Sequence, residues 1–221
     1  MSYLNKNYLN VKGYIWLLFV VLSILFISVP QIDMFVANLF YDGKSFPLNK
    51  TPLEGFFYYS VKPLVVGFSI LTIIIYLYNK ITKKQILNIN AKALLYILLT
   101  LGIAPGLVVN TTLKENWGRA RPAQIKEFGG TKKFTPAFVI SNQDGYSFSS
   151  GHTAAAFSLI GFALLFRKYK FLMPLILIYA TCVSIARMGA GGHFLSDVVT
   201  SFFIVWIFTH IFYKLIFKED S

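Results

Sequence analysis

Long apolar runs separated by short polar stretches dominate this chain. Six can be read off, at about residues 13–30, 58–78, 93–112, 150–167, 171–188 and 195–216. Crossing a hydrocarbon core of about 30 Å takes about 20 apolar residues in helical form, and most of the runs approach that length. The fourth and fifth are shorter, and only Arg167, Lys168, Tyr169 and Lys170 separate them. A basic tetrapeptide of that kind predicts a tight loop between antiparallel helices. No internal repeat or low-complexity tract interrupts the pattern. The pattern predicts an all-α polytopic membrane protein, a bundle of six transmembrane helices forming one integral-membrane domain over 1–221.

Composition supports this expectation. Hydrophobic residues make up 56% of the 221, charged residues 14%, and the mean hydropathy is +0.60. An average soluble domain is about 45–50% apolar and about 25% charged. Soluble globular enzymes and disordered chains are therefore excluded as classes. The balance of 21 Lys and Arg against 9 Asp and Glu would suggest nucleic acid on a soluble chain. On a membrane chain it suggests cytoplasmic loops and an anionic substrate, with no nucleic-acid partner. The single cysteine, Cys182, lies in an apolar run. It excludes an internal disulfide and a cysteine zinc site, and it reads as a small buried hydrophobe.

Charge position sets an expected orientation. The first run has a basic flank, but it ends Ile-Ser-Val-Pro-Gln with no small-residue cleavage site, so it reads as an uncleaved span. With the N-terminus inside, the inner segments collect eleven of the 21 cations but only two acids, Glu219 and Asp220. That bias places both termini in the cytoplasm and the segments 31–57 and 113–149 outside. Segment 31–57 carries aromatic residues such as Phe35, Phe40 and Phe57, and reads equally as an interfacial amphipathic segment or an ordinary loop.

Three polar clusters break the apolar pattern, and all fall on the outer side. The first is Lys114-Glu-Asn-Trp-Gly-Arg-Ala-Arg121-Pro122. If the helix continued, Lys114 and Arg121, seven apart, would share a face and suit a phosphate. Arg119 is two residues from Arg121 and should point elsewhere. A juxtamembrane basic patch meeting headgroups is the alternative. The second cluster is Ser147-Phe-Ser149-Ser150-Gly151-His152-Thr153. Serine and glycine open a helix whose N-terminal N–H groups favour an anion, with His152 in the first turn as a proton donor or acceptor. A simple cap with an interfacial histidine is the alternative. The third is Arg187-Met-Gly-Ala-Gly-Gly-His193-Phe-Leu-Ser-Asp197. His193 and Asp197 are four apart, so a helix makes them neighbours, and a carboxylate beside imidazole orients and polarises it. A buried structural His–Asp pair is the alternative. The third histidine, His210, lies among apolar residues of the last run and reads as packed or interfacial. A zinc site at His152, His193 and Asp197 is disfavoured by the adjacent cations.

Together the clusters resemble the type 2 phosphatidic acid phosphatase superfamily, with its K-x6-R-P, P-S-G-H and S-R-x5-H-x3-D pattern. The matching residues are Lys114 to Arg121-Pro122, Ser149-Ser150-Gly151-His152, and Ala186-Arg187 to His193 and Asp197. Ser149 stands where the pattern has proline, and Ala186 where it has serine. Around these motifs, Gly106–Asn110, Trp117–Pro122, Phe138–Asn142 and Gly191–Val198 are similar to bacterial lipid A phosphatases, most of all the 4'-phosphatases.

The resemblance implies metal-independent phosphomonoester hydrolysis with no cofactor. His193 would be the nucleophile, Asp197 would hold it, and His152 would be general acid and then base. Lys114, Arg121, Arg187, Ser150 and the Gly151 N–H would bind the phosphoryl oxygens. It further implies an inner-membrane enzyme facing the periplasm, acting on lipid A or another anionic phospholipid. Undecaprenyl pyrophosphate, phosphatidylglycerophosphate and phosphatidic acid are alternatives with the same chemistry. A transporter or lipid-binding protein without activity is the alternative class, against which the complete set of histidines and cations argues. Lys126, Lys132 and Lys133 either meet further headgroup charge or form a solvated face.

Overall fold

A computed structural model describes residues 2–217. Lys218, Glu219 and Asp220, which enter the charge count, lie outside the described residues. A short helix, α1 (Ser2–Asn5), and a two-stranded hairpin, β1 (Asn7–Tyr8) with β2 (Val11–Lys12), precede the bundle. Helix α2 (Gly13–Ser28) then turns by 85° into α3 (Gln31–Asn38). Pro30 stands at the turn and cannot donate to the preceding helix.

Helix α4 (Pro52–Thr82) is built from a strong local signal. The Thr51 hydroxyl accepts from the Glu54 N–H at 3.2 Å, Pro52 occupies the first turn, and the helix stops where Lys83 turns left-handed. Helix α5 (Ala91–Gly102) starts under Asn90, whose side chain accepts from the Ala93 N–H at 3.0 Å. Its continuation, Ile103–Lys114, is wound as a π-helix. Pro105 lacks the N–H that an α-helix would need there, which favours the wider winding. Helices α6 (Gly151–Ser158) and α7 (Ile160–Leu165) form a short broken rod, followed by α8 (Leu172–Gly189) and α9 (Leu195–Phe217).

Among the described residues, four helical stretches are long and apolar enough to cross a membrane, Pro52–Thr82, Ala91–Lys114, Leu172–Gly189 and Leu195–Phe217. The bent pair α2–α3 makes a fifth if it counts as one span. Six full-length spans are therefore not what the six apolar runs become. The fourth run corresponds to Gly151–Leu165, whose 15 residues cover about 22 Å at 1.5 Å each, short of the hydrocarbon thickness. This rod packs against α8, α9 and the π-helix at the centre of the bundle. Ala154, Ala156, Phe157 and Ile160 form the main core with Val109, Val183 and Val205. Helix α4 leaves most of its apolar surface outward, as expected of a helix that lipid covers. The chain is thus an all-α polytopic membrane protein.

Segment 31–57 is neither a plain loop nor a wholly interfacial strip. It enters the bundle through α3, whose first turn buries Asp33 completely. Phe46, Ala120, Ile125, Phe128 and Phe194 pack with Ala37 into a second core. Cys182 is half-buried rather than fully buried.

Candidate active site

The three polar clusters converge, but not by the local rules that singled them out. The helix does not continue from Lys114 to Arg121. It ends at Lys114, and the backbone is extended at Arg121. The chain turns through Gly118, which has φ +66° and would place any Cβ against the Ser141 carbonyl. Only glycine fits such a path. The Ala123 N–H then bonds the Gly191 carbonyl at 3.0 Å, tying the Arg121 loop to the glycine loop before α9. Lys114, Arg121 and Arg187 lie close enough for their charges to act on one another and on His152, and the charges of Lys114 and Arg187 also reach His193. Burial and the neighbouring Arg187 cation hold the Arg121 guanidinium below its ordinary value, against the opposing pull of Tyr58 and Asp197.

The second cluster forms as expected. Ser150 caps α6, and its hydroxyl accepts from the Thr153 N–H at 3.4 Å. Gly151 presses against the Asn110 side chain, so no larger residue fits without displacing it. The Ser201 hydroxyl pins the junction by sharing its one proton between the carbonyls of Ser150 at 3.0 Å and Asp197 at 2.8 Å. His152 is half-buried and stacks on Tyr58 of α4, with ring centroids 4.2 Å apart. The same tyrosine lies under the Arg187 guanidinium at 4.7 Å.

The third cluster departs from the expected dyad. His193 precedes α9, and its Nδ1 is 3.8 Å from Asp197 Oδ2, too far for a hydrogen bond. Nδ1 instead lies 2.8 Å from the Ser147 carbonyl. A carbonyl only accepts, so Nδ1 carries the proton and Nε2 keeps its lone pair. Asp197 holds the frame around the ring. It accepts from the Ser147 hydroxyl at 2.6 Å, the Phe194 N–H at 2.8 Å and Arg119 Nη1 at 2.6 Å. Burial keeps the His193 imidazole neutral, taking its pKa down from 6.5 to about 4 despite the opposing pull of Asp197.

Three participants, Asp33, Glu54 and Tyr58, are absent from the sequence expectation, and the partners of Arg119 are new as well. Arg119 points away from Arg121, into a fully buried network with Asp33, Ser196 and Asp197. Asp33 also accepts from the Ser196 N–H at 2.8 Å. Glu54 pairs with Arg187 at 2.5 Å, and Tyr58 stacks on His152. Only Glu54 carried a local signal, as the acid of a Thr-x-x-Glu cap; Asp33 and Tyr58 carried none. His210 lies apart from the site, with Nδ1 2.8 Å from the Trp206 carbonyl and its ring stacked on Trp206. Lys126, Lys132 and Lys133 also lie apart, around a cavity of about 600 Å³ formed within residues 126–144.

The arrangement is built to receive an anion. The Nε groups of Arg121 and Arg187 are buried without hydrogen-bond partners among the described residues. Buried donors in that state are uncommon, and an oxyanion between them would satisfy both. No group of three His, Cys, Asp or Glu side chains gathers anywhere among the described residues.

Comparison with known proteins agrees with this picture. Residues 93–221 match the model of the PAP2 superfamily. A lipid A 4'-phosphatase of Francisella tularensis subsp. novicida (strain U112) is 34% identical over 205 residues, covering 90% of this chain and 92% of the relative. A lipid A 4'-phosphatase of Rhizobium leguminosarum is 40% identical over 105 residues, 45% of each chain. A phosphatidylglycerophosphatase B of Haemophilus influenzae (strain ATCC 51907 / DSM 11121 / KW20 / Rd) is 29% identical over 105 residues, 42% of this chain and 44% of that one. No solved structure matches. The helical bundle, the three converging clusters and the match over more than half of the chain lead to one assignment: this protein belongs to the PAP2 superfamily.

Proposed function

We propose that this protein removes the 4'-phosphate of lipid A, or of a lipid A precursor, at the outer face of the bacterial inner membrane. The observation that carries the chemistry is the tautomer of His193. Its Nδ1 proton is committed to the Ser147 carbonyl, which leaves Nε2 as a buried, neutral nucleophile within reach of the Lys114 and Arg187 charges. Similarity to a lipid A 4'-phosphatase over nearly the whole length of both chains supports the substrate. The excess of cations on the inner segments supports the orientation. One integral-membrane unit over 1–221 carries the activity.

In the first step His193 Nε2 attacks phosphorus, and the bond from phosphorus to the lipid oxygen breaks. His152 gives that oxygen a proton, and the lipid leaves as an alcohol. In the second step His152 takes a proton from water, the hydroxide attacks phosphorus, and the P–N bond breaks to release phosphate and neutral His193. Lys114, Arg121 and Arg187 hold the phosphoryl oxygens, with Ser150 and the Gly151 N–H at the positive end of α6. Asp197 is a positioning residue, acting through Ser147 and the backbone at Phe194.

The test is phosphate release from purified lipid A, with mass spectrometry of the product. Loss of one phosphate from the 4' position is expected, and intact lipid A after exhaustive incubation would overturn the substrate. Cells with and without the gene should differ by the same mass. Phosphatidylglycerophosphate is the second reading, favoured by the similarity to a phosphatidylglycerophosphatase B.

A further inference from the structure

Helix α4 carries one charged side chain between Glu54 and Lys80, and it is Lys62. It lies ten residues from Pro52, about 15 Å along the axis, within an otherwise apolar stretch. Lys62 is exposed, and a cation on a helix face that lipid covers is costly unless its amine meets a polar partner. Among the described residues Lys62 has no ion pair. Its place on the helix is informative. Lys62 follows Tyr58 by four, so the two share a face, and Tyr58 is the ring that stacks on His152. A cavity of about 260 Å³ continues from there, between α4, the π-helix and α6. Its lining combines the polar side chains of His152, Lys114 and Asn110 with the apolar Val65 and Val66, and Lys62 lies between Tyr58 and those valines along α4. Val66 is exposed, so the cavity reaches the surface that lipid covers.

We propose that this cavity receives the acylated part of the substrate headgroup from the side of the membrane, and that Lys62 determines lipid specificity by binding an oxygen acceptor there. The reacting phosphate sits among Lys114, Arg121 and Arg187, and the acyl chain leaves over Val65 and Val66. Lys62 then meets the headgroup between phosphate and chain. The acceptor is either an uncharged hydroxyl or acyl carbonyl, or a second phosphate of the same lipid. This assignment rests on the proposed lipid phosphatase activity.

The experiment compares wild type, Lys62→Met and Lys62→Arg in detergent micelles, on lipid A and on p-nitrophenyl phosphate, which has no chain or second headgroup. The ratio of the two kcat/KM values should fall about tenfold in Lys62→Met, mainly through KM for the lipid, and recover in Lys62→Arg. Gel filtration of each variant controls for folding. Lipid A bearing only the reacting phosphate separates the two acceptors. An equal loss on that lipid identifies the uncharged oxygen, and a smaller loss identifies the second phosphate. An unchanged ratio in Lys62→Met would overturn the proposal and leave Lys62 reaching outward to bulk headgroups. If wild type hydrolyses p-nitrophenyl phosphate but not lipid A, the substrate reading fails. The ratio is then read on phosphatidic acid with the same criterion.

Discussion

Arg119 Nη1 donates to Asp197 Oδ1 at 2.6 Å, and both side chains are completely buried. The other arm of the same guanidinium reaches Asp33 Oδ2 at 2.8 Å, 86 residues away in sequence. One arginine thus joins the bend after α2, the loop after the π-helix and the first turn of α9. Asp197 in turn fixes Ser147, whose carbonyl sets the His193 tautomer. Phe194 covers the guanidinium at 4.4 Å.

Removing one partner of such a network leaves buried charge uncompensated, at a cost of about 3–5 kcal/mol. Arg119→Met should therefore lower the melting temperature in detergent sharply, and Asp33→Asn less so because its hydrogen bonds to Ser196 can persist. Unfolding curves of Arg119→Met that overlay the wild type would show that the network does not hold the site together.

The two histidines should separate cleanly by substitution. His193→Ala should lose at least about a thousandfold in rate, as when a covalent nucleophile is deleted. His152→Ala should still complete the first step with p-nitrophenyl phosphate, whose leaving group needs little protonation. Brief incubation should then trap acid-labile, base-stable phosphate on His152→Ala and none on His193→Ala. Phosphate retained by the His193 variant would make His152 the nucleophile.

The buried imidazole also predicts acid sensitivity. His193 is held at about 4 in the folded protein, against 6.5 for an ordinary histidine. Between those values the unfolded chain takes up a proton that the folded site refuses, so its contribution lowers stability as pH falls from 6.5 to 4 and has no such effect above 6.5. Melting temperatures measured across this window should fall with pH, and His193→Gln should show a shallower slope. Identical slopes would mean that burial does not depress this group.

Chelation should leave turnover intact. The candidate site gathers cations rather than carboxylates, and no three metal-ligating side chains meet among the described residues. Activity abolished by EDTA and restored by zinc or magnesium would replace the phosphohistidine scheme.

Orientation is checked by labelling. A cysteine in place of Lys132, in a Cys182→Ser background, should react with an impermeant thiol reagent outside intact spheroplasts. Labelling only after lysis would invert the topology.

Much of this architecture is legible in the chain because it is set locally. Apolar runs near membrane length mark helices whatever their neighbours are, and Thr51, Asn90 and Ser150 mark their starts through bonds to residues three positions on. Likewise, the three polar clusters stand out because charge is scarce in such a chain. Spacing along a helix misled where the helix itself stopped, as between Lys114 and Arg121, and where a nearer acceptor displaced the expected partner, as at His193. The choice of partners for Asp33, Arg119, Glu54 and Tyr58 is made between segments far apart in sequence. No periodicity or cap encodes such pairs. They follow from which buried charge must find its opposite once the helices have packed, and only the tertiary structure decides that.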